Sequence, residues 1–74
     1  MAEMPRISGS EAVKVFEHLG FAVVRQKGSH VVLRRGDRGC VISLLKELAI
    51  GTLRGALRQA GITVEEFVSA YRDR

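Results

Sequence analysis

Ala12, Val15, Phe16 and Leu19 recur at the spacing of one helix face. Ser8 with Glu11 three residues on predicts a capping box at the start of that helix, and Gly20 predicts its end. The period then changes. Phe21 to Lys27 is rich in Val and partly alternating, as a strand is, and Gly28-Ser29 supplies a two-residue turn. His30 to Arg35 should return antiparallel. Gly36-Asp37-Arg38-Gly39 predicts a second turn, and Cys40 to Ser43 a short third strand. Leu44 to Leu48 has no clear period and is expected to be a connection. Helical spacing resumes with Ile50, Leu53, Leu57 and Ala60 up to Gly61. Thr63 and Glu66 predict a second capping box, ahead of a last stripe of Val64, Phe67, Val68 and Tyr71. The expected order is α-β-β-β-α-α. That is an α+β fold, a three-stranded antiparallel sheet with its helices on one face and the other face open.

A chain of 74 residues holds one domain, expected over residues 6–74 behind a flexible tail at 1–5. Its 46% hydrophobic and 27% charged residues place it among folded domains rather than disordered ones. The single cysteine, Cys40, follows a turn glycine and reads as a small buried hydrophobe rather than a nucleophile. No apolar run reaches the length of a membrane span, and Met1 to Pro5 has no region resembling a signal peptide. A cytoplasmic address is the expectation by exclusion.

The net charge of +4 is unevenly placed. Arg25, Lys27, Arg34, Arg35, Arg38 and Lys46 fall in the middle of the chain against one acid, Asp37, while the flanks are nearly balanced. A basic middle on a neutral frame is the footprint of a phosphate-bearing partner, or of a solvated hairpin that happens to be basic.

Side chains alternate across a strand, so His30, Val32 and Arg34 share one face and Val31, Leu33 and Arg35 the other. The apolar pair should pack on the helices. His30 and Arg34 then lie on the open face, beside Arg25 and Lys27 of the neighbouring strand. An ordinary imidazole exchanges protons near pH ~6.5. Cations around a phosphoryl group stabilise its transition state. Together these are the parts needed to attack an RNA phosphodiester with its own 2′-hydroxyl and no metal. The plainer alternative is a polar strand residue after a turn. His18, beside Glu17 in the first helix, reads as solvated. His18, His30 and Cys40 lack metal-ligand spacing, and Gly28 and Gly51 belong to no phosphate loop, so neither metal nor cofactor is expected.

Gly20-Phe21, Arg25-Gln26-Lys27-Gly28-Ser29-His30, Lys46-Glu47-Leu48, Gly51-Thr52-Leu53 and Gln59-Ala60-Gly61-Ile62 resemble, in order and spacing, the HicA-type toxins of bacterial and archaeal toxin–antitoxin pairs. The resemblance runs from about Arg6 to Phe67. It implies a fold like the double-stranded-RNA-binding domain, metal-independent cleavage of mRNA, and a HicB-type antitoxin that covers the site. It also implies that His30 is the essential histidine, acting as general base, presented by the turn at Gly28 and Ser29. Arg25, Lys27, Ser29 and Arg34 would then contact the RNA; the general acid is not identified. Two positions depart from the family pattern. Ser43-Leu44-Leu45 stands where many relatives have a proline and often a second histidine, and Ile50 stands where many have a lysine. The rival expectations are a non-catalytic RNA-binding module of the same fold and a protein-interaction domain for an acidic partner.

Overall fold

The computed structural model describes residues 3–73; of the expected tail, Met1 and Ala2 lie outside them. The elements are α1 (Gly9–His18), β1 (Ala22–Lys27), β2 (His30–Arg35), β3 (Arg38–Ser43), α2 (Ile50–Ala60) and α3 (Val64–Asp73). The strands form one antiparallel sheet in the order β1-β2-β3, so the expected α-β-β-β-α-α order holds.

Both capping boxes are present. Ser8 Oγ accepts from the Glu11 N–H at 3.1 Å while Glu11 accepts from the Ser8 N–H at 3.2 Å. Thr63 and Glu66 do the same at the start of α3, at 3.0 and 2.9 Å. Each box satisfies two backbone donors that a helix N-terminus otherwise leaves open. At the other end of α1, the Phe21 N–H donates to the Phe16 carbonyl and the Gly20 N–H to Glu17, a Schellman closure. That use of the Phe21 N–H explains why β1 starts at Ala22, one residue later than the pattern of apolar residues predicts.

The second hairpin differs from expectation as well. Its turn is only Gly36-Asp37, and Arg38 and Gly39 are strand residues paired with Arg35 and Arg34. Gly36 has φ +63°, which lets two residues reverse the chain. Gly39 is instead a packing glycine, since a Cβ there would come within 2.7 Å of the Leu33 carbonyl oxygen.

The core lies between the sheet and the helices. Val31, Leu33, Cys40 and Ile42 point inward from the strands and meet Val15, Phe16, Leu53, Leu57 and Phe67. Phe16 sits at its centre, with ring centroids 5.3 Å from Phe21 and 5.5 Å from Phe67. Met4, expected in the tail, is buried in this core, as is Leu48 from the connection after β3. Their apolar side chains explain why these irregular segments hold to the body.

Cys40 is buried, and desolvation pushes its thiol up from an ordinary 9.0 to about 11. The folded state therefore keeps a proton that the unfolded chain gives up. The contribution of Cys40 to stability should be full below pH 9 and lost as pH rises toward about 11. Iodoacetamide at pH ~8 should leave native Cys40 unmodified and alkylate it in urea. Rapid alkylation of the native protein would contradict this placement.

Candidate nucleic-acid interface

Two register relations build the open face of the sheet. Across β1 and β2, Lys27 stands opposite His30, Arg25 opposite Val32, and Ala22 opposite Arg34. Across β2 and β3, His30 stands opposite Ser43, Val32 opposite Val41, and Arg34 opposite Gly39. Residues paired in this way point to the same side, with Cβ atoms roughly 5 Å apart. The open face thus carries three rows: Lys27–His30–Ser43, Arg25–Val32–Val41 and Ala22–Arg34–Gly39. A β-bulge between Val23 and Arg25 shifts the register of β1 at its start without moving Arg25 or Lys27 off this face.

His30, Arg25, Lys27 and Arg34 are all exposed. No hydrogen bond or ion pair joins any of these four side chains to another described residue; the one described ion pair is Arg6–Glu47, at 3.2 Å. Three cations and an imidazole on one face, with their charges uncommitted, leave full hydrogen-bonding capacity for an anionic ligand.

Not every cation of the basic middle belongs to this face. Arg35 turns to the helix side, donating to the Leu19 carbonyl at 2.7 Å and stacking 4.7 Å from the Phe21 ring centroid. It satisfies a carbonyl at the C-terminus of α1 and adds a cation–π contact. Arg38 is paired with Arg35 and lies against Gly61. The cationic set for a ligand on the sheet is therefore Arg25, Lys27 and Arg34.

The turn that presents His30 is held by backbone contacts. Gly28 takes φ +58° and Ser29 keeps a negative φ, the pattern of a type II′ turn with glycine first. Gln26 Nε2 donates to the Gly28 carbonyl at 3.3 Å. The Ser29 carbonyl, rather than its hydroxyl, accepts from the Leu44 N–H at 2.7 Å. Leu45 in turn accepts through its carbonyl from the Gly9 N–H at 2.8 Å, at the start of α1. A chain of contacts therefore runs from α1 through the connection to the His30 turn.

Gly9 escapes a reading of the sequence, where Ser43 stands out only as part of the Ser43-Leu44-Leu45 departure. Ser43 becomes visible as a neighbour of His30 only once the β2–β3 register is known. Gly9 has one signal, a glycine in a first helical turn where its helix propensity is poor. The connection just after β3 leaves Leu44 and Leu45 exposed, at 36% and 54%. His18 is exposed on α1 and Cys40 is buried under the sheet, so the three metal-capable side chains noted in the sequence stay apart. No group of three His, Cys, Asp or Glu side chains comes together among the described residues. No described helix is long and apolar enough to cross a membrane.

A family model described as the HicA toxin of bacterial toxin–antitoxin systems matches residues 9–62. The match runs from the start of α1 to the residue after the α2 cap and includes the whole sheet. No match is found among curated proteins.

Proposed function

Because this chain belongs to the HicA toxin family of bacterial toxin–antitoxin systems, we propose that it is a metal-independent endoribonuclease toxin acting on mRNA from the open face of its sheet. The observation that carries this reading is the exposed His30 with Lys27 directly across the strand pair and Arg25 and Arg34 on the same face.

The imidazole of His30 takes the proton from an RNA 2′-hydroxyl. The freed oxygen attacks the adjacent phosphorus and the bond from phosphorus to the 5′-oxygen breaks. The products are a 2′,3′-cyclic phosphate and a 5′-oxygen that leaves as a hydroxyl after taking up a proton. Lys27, Arg25 and Arg34 hold the non-bridging oxygens and offset the charge that builds on them. The Gly28-Ser29 turn fixes where the imidazole stands. Ser43, on β3 across from His30 and on the side away from Lys27, adds a hydroxyl to the same face. The leaving oxygen takes its proton from water or from a group on the RNA. A HicB-type antitoxin is the partner this reading requires, covering the three cations with acidic or acceptor groups. The cell interior is where such a target and partner meet.

Incubation of a mixed mRNA with purified protein in EDTA should yield fragments bearing 5′-hydroxyl and 2′,3′-cyclic phosphate ends. RNA that stays intact at concentrations where it binds would favour a non-catalytic RNA-binding module. It would also make Ser43-Leu44-Leu45 the suspect departure.

A further inference from the structure

We infer that a flanking nucleotide of single-stranded RNA binds in a trough running from the open sheet face, over the edge of β3, to α2. This inference rests on the RNA-directed reading above and extends it to a second part of the molecule. Between β3 and α2 lies a groove of about 590 Å³, lined by Val41, Thr52, Gly55, Ala56, Arg58 and Gln59. A shallower depression of about 370 Å³ lies on the sheet around Gly39, bordered by Val32, Arg34, Asp37, Val41 and Gln59. The two share Val41 and Gln59 and so form one continuous path. It starts beside the middle row of the open face, one row from His30.

The lining suits a nucleotide. Val32 and Val41 are cross-strand neighbours, and Val41 is 49% exposed, which makes an apolar shelf for a base. Gly39 carries no side chain beside that shelf, and the stem of its cross-strand partner Arg34 lies against it. Arg34 borders the depression on the sheet and Arg58 the groove beside α2, so each part of the trough carries one cation for a phosphate. Thr52 and Gln59 offer a hydroxyl and an amide for base edges or 2′-hydroxyls. Asp37, the one acid among the lining residues, disfavours a phosphate beside it, which leaves the base to the Val32–Val41 shelf and the backbone to the arginines. A duplex keeps its base faces stacked inside and cannot use the shelf. A single strand can.

The test is titration of isotope-labelled protein with 2′-O-methyl RNA, which lacks the free hydroxyl the cleavage step needs. A dinucleotide should shift the backbone amides of Lys27 to Val32. An octanucleotide should in addition shift those of Thr52, Gly55 and Gln59. Two variants probe the trough. Gly55→Leu fills it, and the fold should tolerate the change: no atom lies within 4 Å of a Cβ at that position, and leucine favours a helix over glycine. Arg58→Glu reverses the distal charge. Each should weaken octanucleotide binding about tenfold and leave the dinucleotide unaffected. If the octanucleotide moves only open-face amides and both variants bind it as wild type does, the trough is not an RNA path and the inference fails alone. If neither RNA moves the open face, the RNA reading fails and the inference goes with it. Loss of antitoxin binding in Gly55→Leu with RNA binding intact would assign the trough to a protein and likewise overturn it.

Discussion

His30→Ala should lower the rate of RNA cleavage by roughly 10²–10⁴-fold, the usual contribution of a positioned acid–base group. It should do so without unfolding the protein. The His30 side chain is exposed, makes no hydrogen bond or ion pair with another described residue, and contributes nothing to the core. Surface changes of this kind alter stability by about 0.5 kcal/mol or less. The separation of the two effects is the informative part. Lys27→Ala should weaken RNA binding and flatten its salt dependence by about one counterion, as loss of a single phosphate contact does. A stopped-flow or gel assay of cleavage, beside melting curves of both proteins, checks the pair. A folded His30→Ala protein that cleaves RNA at the wild-type rate would remove His30 from the chemistry.

Gly9→Ala should destabilise the fold by about 3 kcal/mol, at the upper end of what overpacking costs in a rigid site. Helix propensity alone predicts the opposite sign, a gain of up to ~1 kcal/mol. The difference comes from where Gly9 sits. A methyl group there would overlap the Ser43 carbonyl oxygen and come within 2.8 Å of the Leu44 Cα, both backbone atoms. The connection cannot simply yield. It is held to α1 by the Gly9 N–H and to the His30 turn by the bond from Leu44 to Ser29. A small domain has only roughly 5–10 kcal/mol of stability in all, so this loss is a large fraction. Whatever protein stays folded should also cut RNA more slowly, because displacement of Leu44 loosens the turn that presents the imidazole. Urea denaturation decides the sign. A variant as stable as wild type, or more so, would show that the close approach is not maintained in solution.

The parts of the fold legible in the sequence were those that rest on local chemistry. Both capping boxes need only a Ser or Thr and a Glu three residues apart. The first hairpin needs only a glycine where a type II′ turn demands positive φ. Alternation in β2 was enough to put His30 and Arg34 on the open face, because Val31 and Leu33 left one apolar side to bury. Longer-range relations were less legible. The full extent of β3 is not legible because Gly39 resembles a turn glycine and acts as a packing one. Met4 resembles tail in the sequence, yet its side chain is buried in the core, which exists only once the chain is folded. In the candidate site, the grouping of Arg25 and Lys27 with His30 followed from a tight turn. The withdrawal of Arg35 and Arg38 to the helix side did not all follow. Strand parity assigns Arg35, whereas Arg38 falls in the stretch that the sequence marks as a turn. Ser43, the β3–α2 trough and the clamp from Gly9 to Ser29 depend on register and packing, which no local pattern encodes.

The most direct test of the open face as a transesterification site uses one RNA with a cleavage position mapped in EDTA, and the same RNA carrying a single 2′-deoxynucleotide on the 5′ side of that position. Cleavage there should disappear while other positions are cut as before, since the attacking oxygen has been removed. Cleavage that persists at the substituted position would mean that water or another nucleophile does the work, and would contradict the mechanism built on His30.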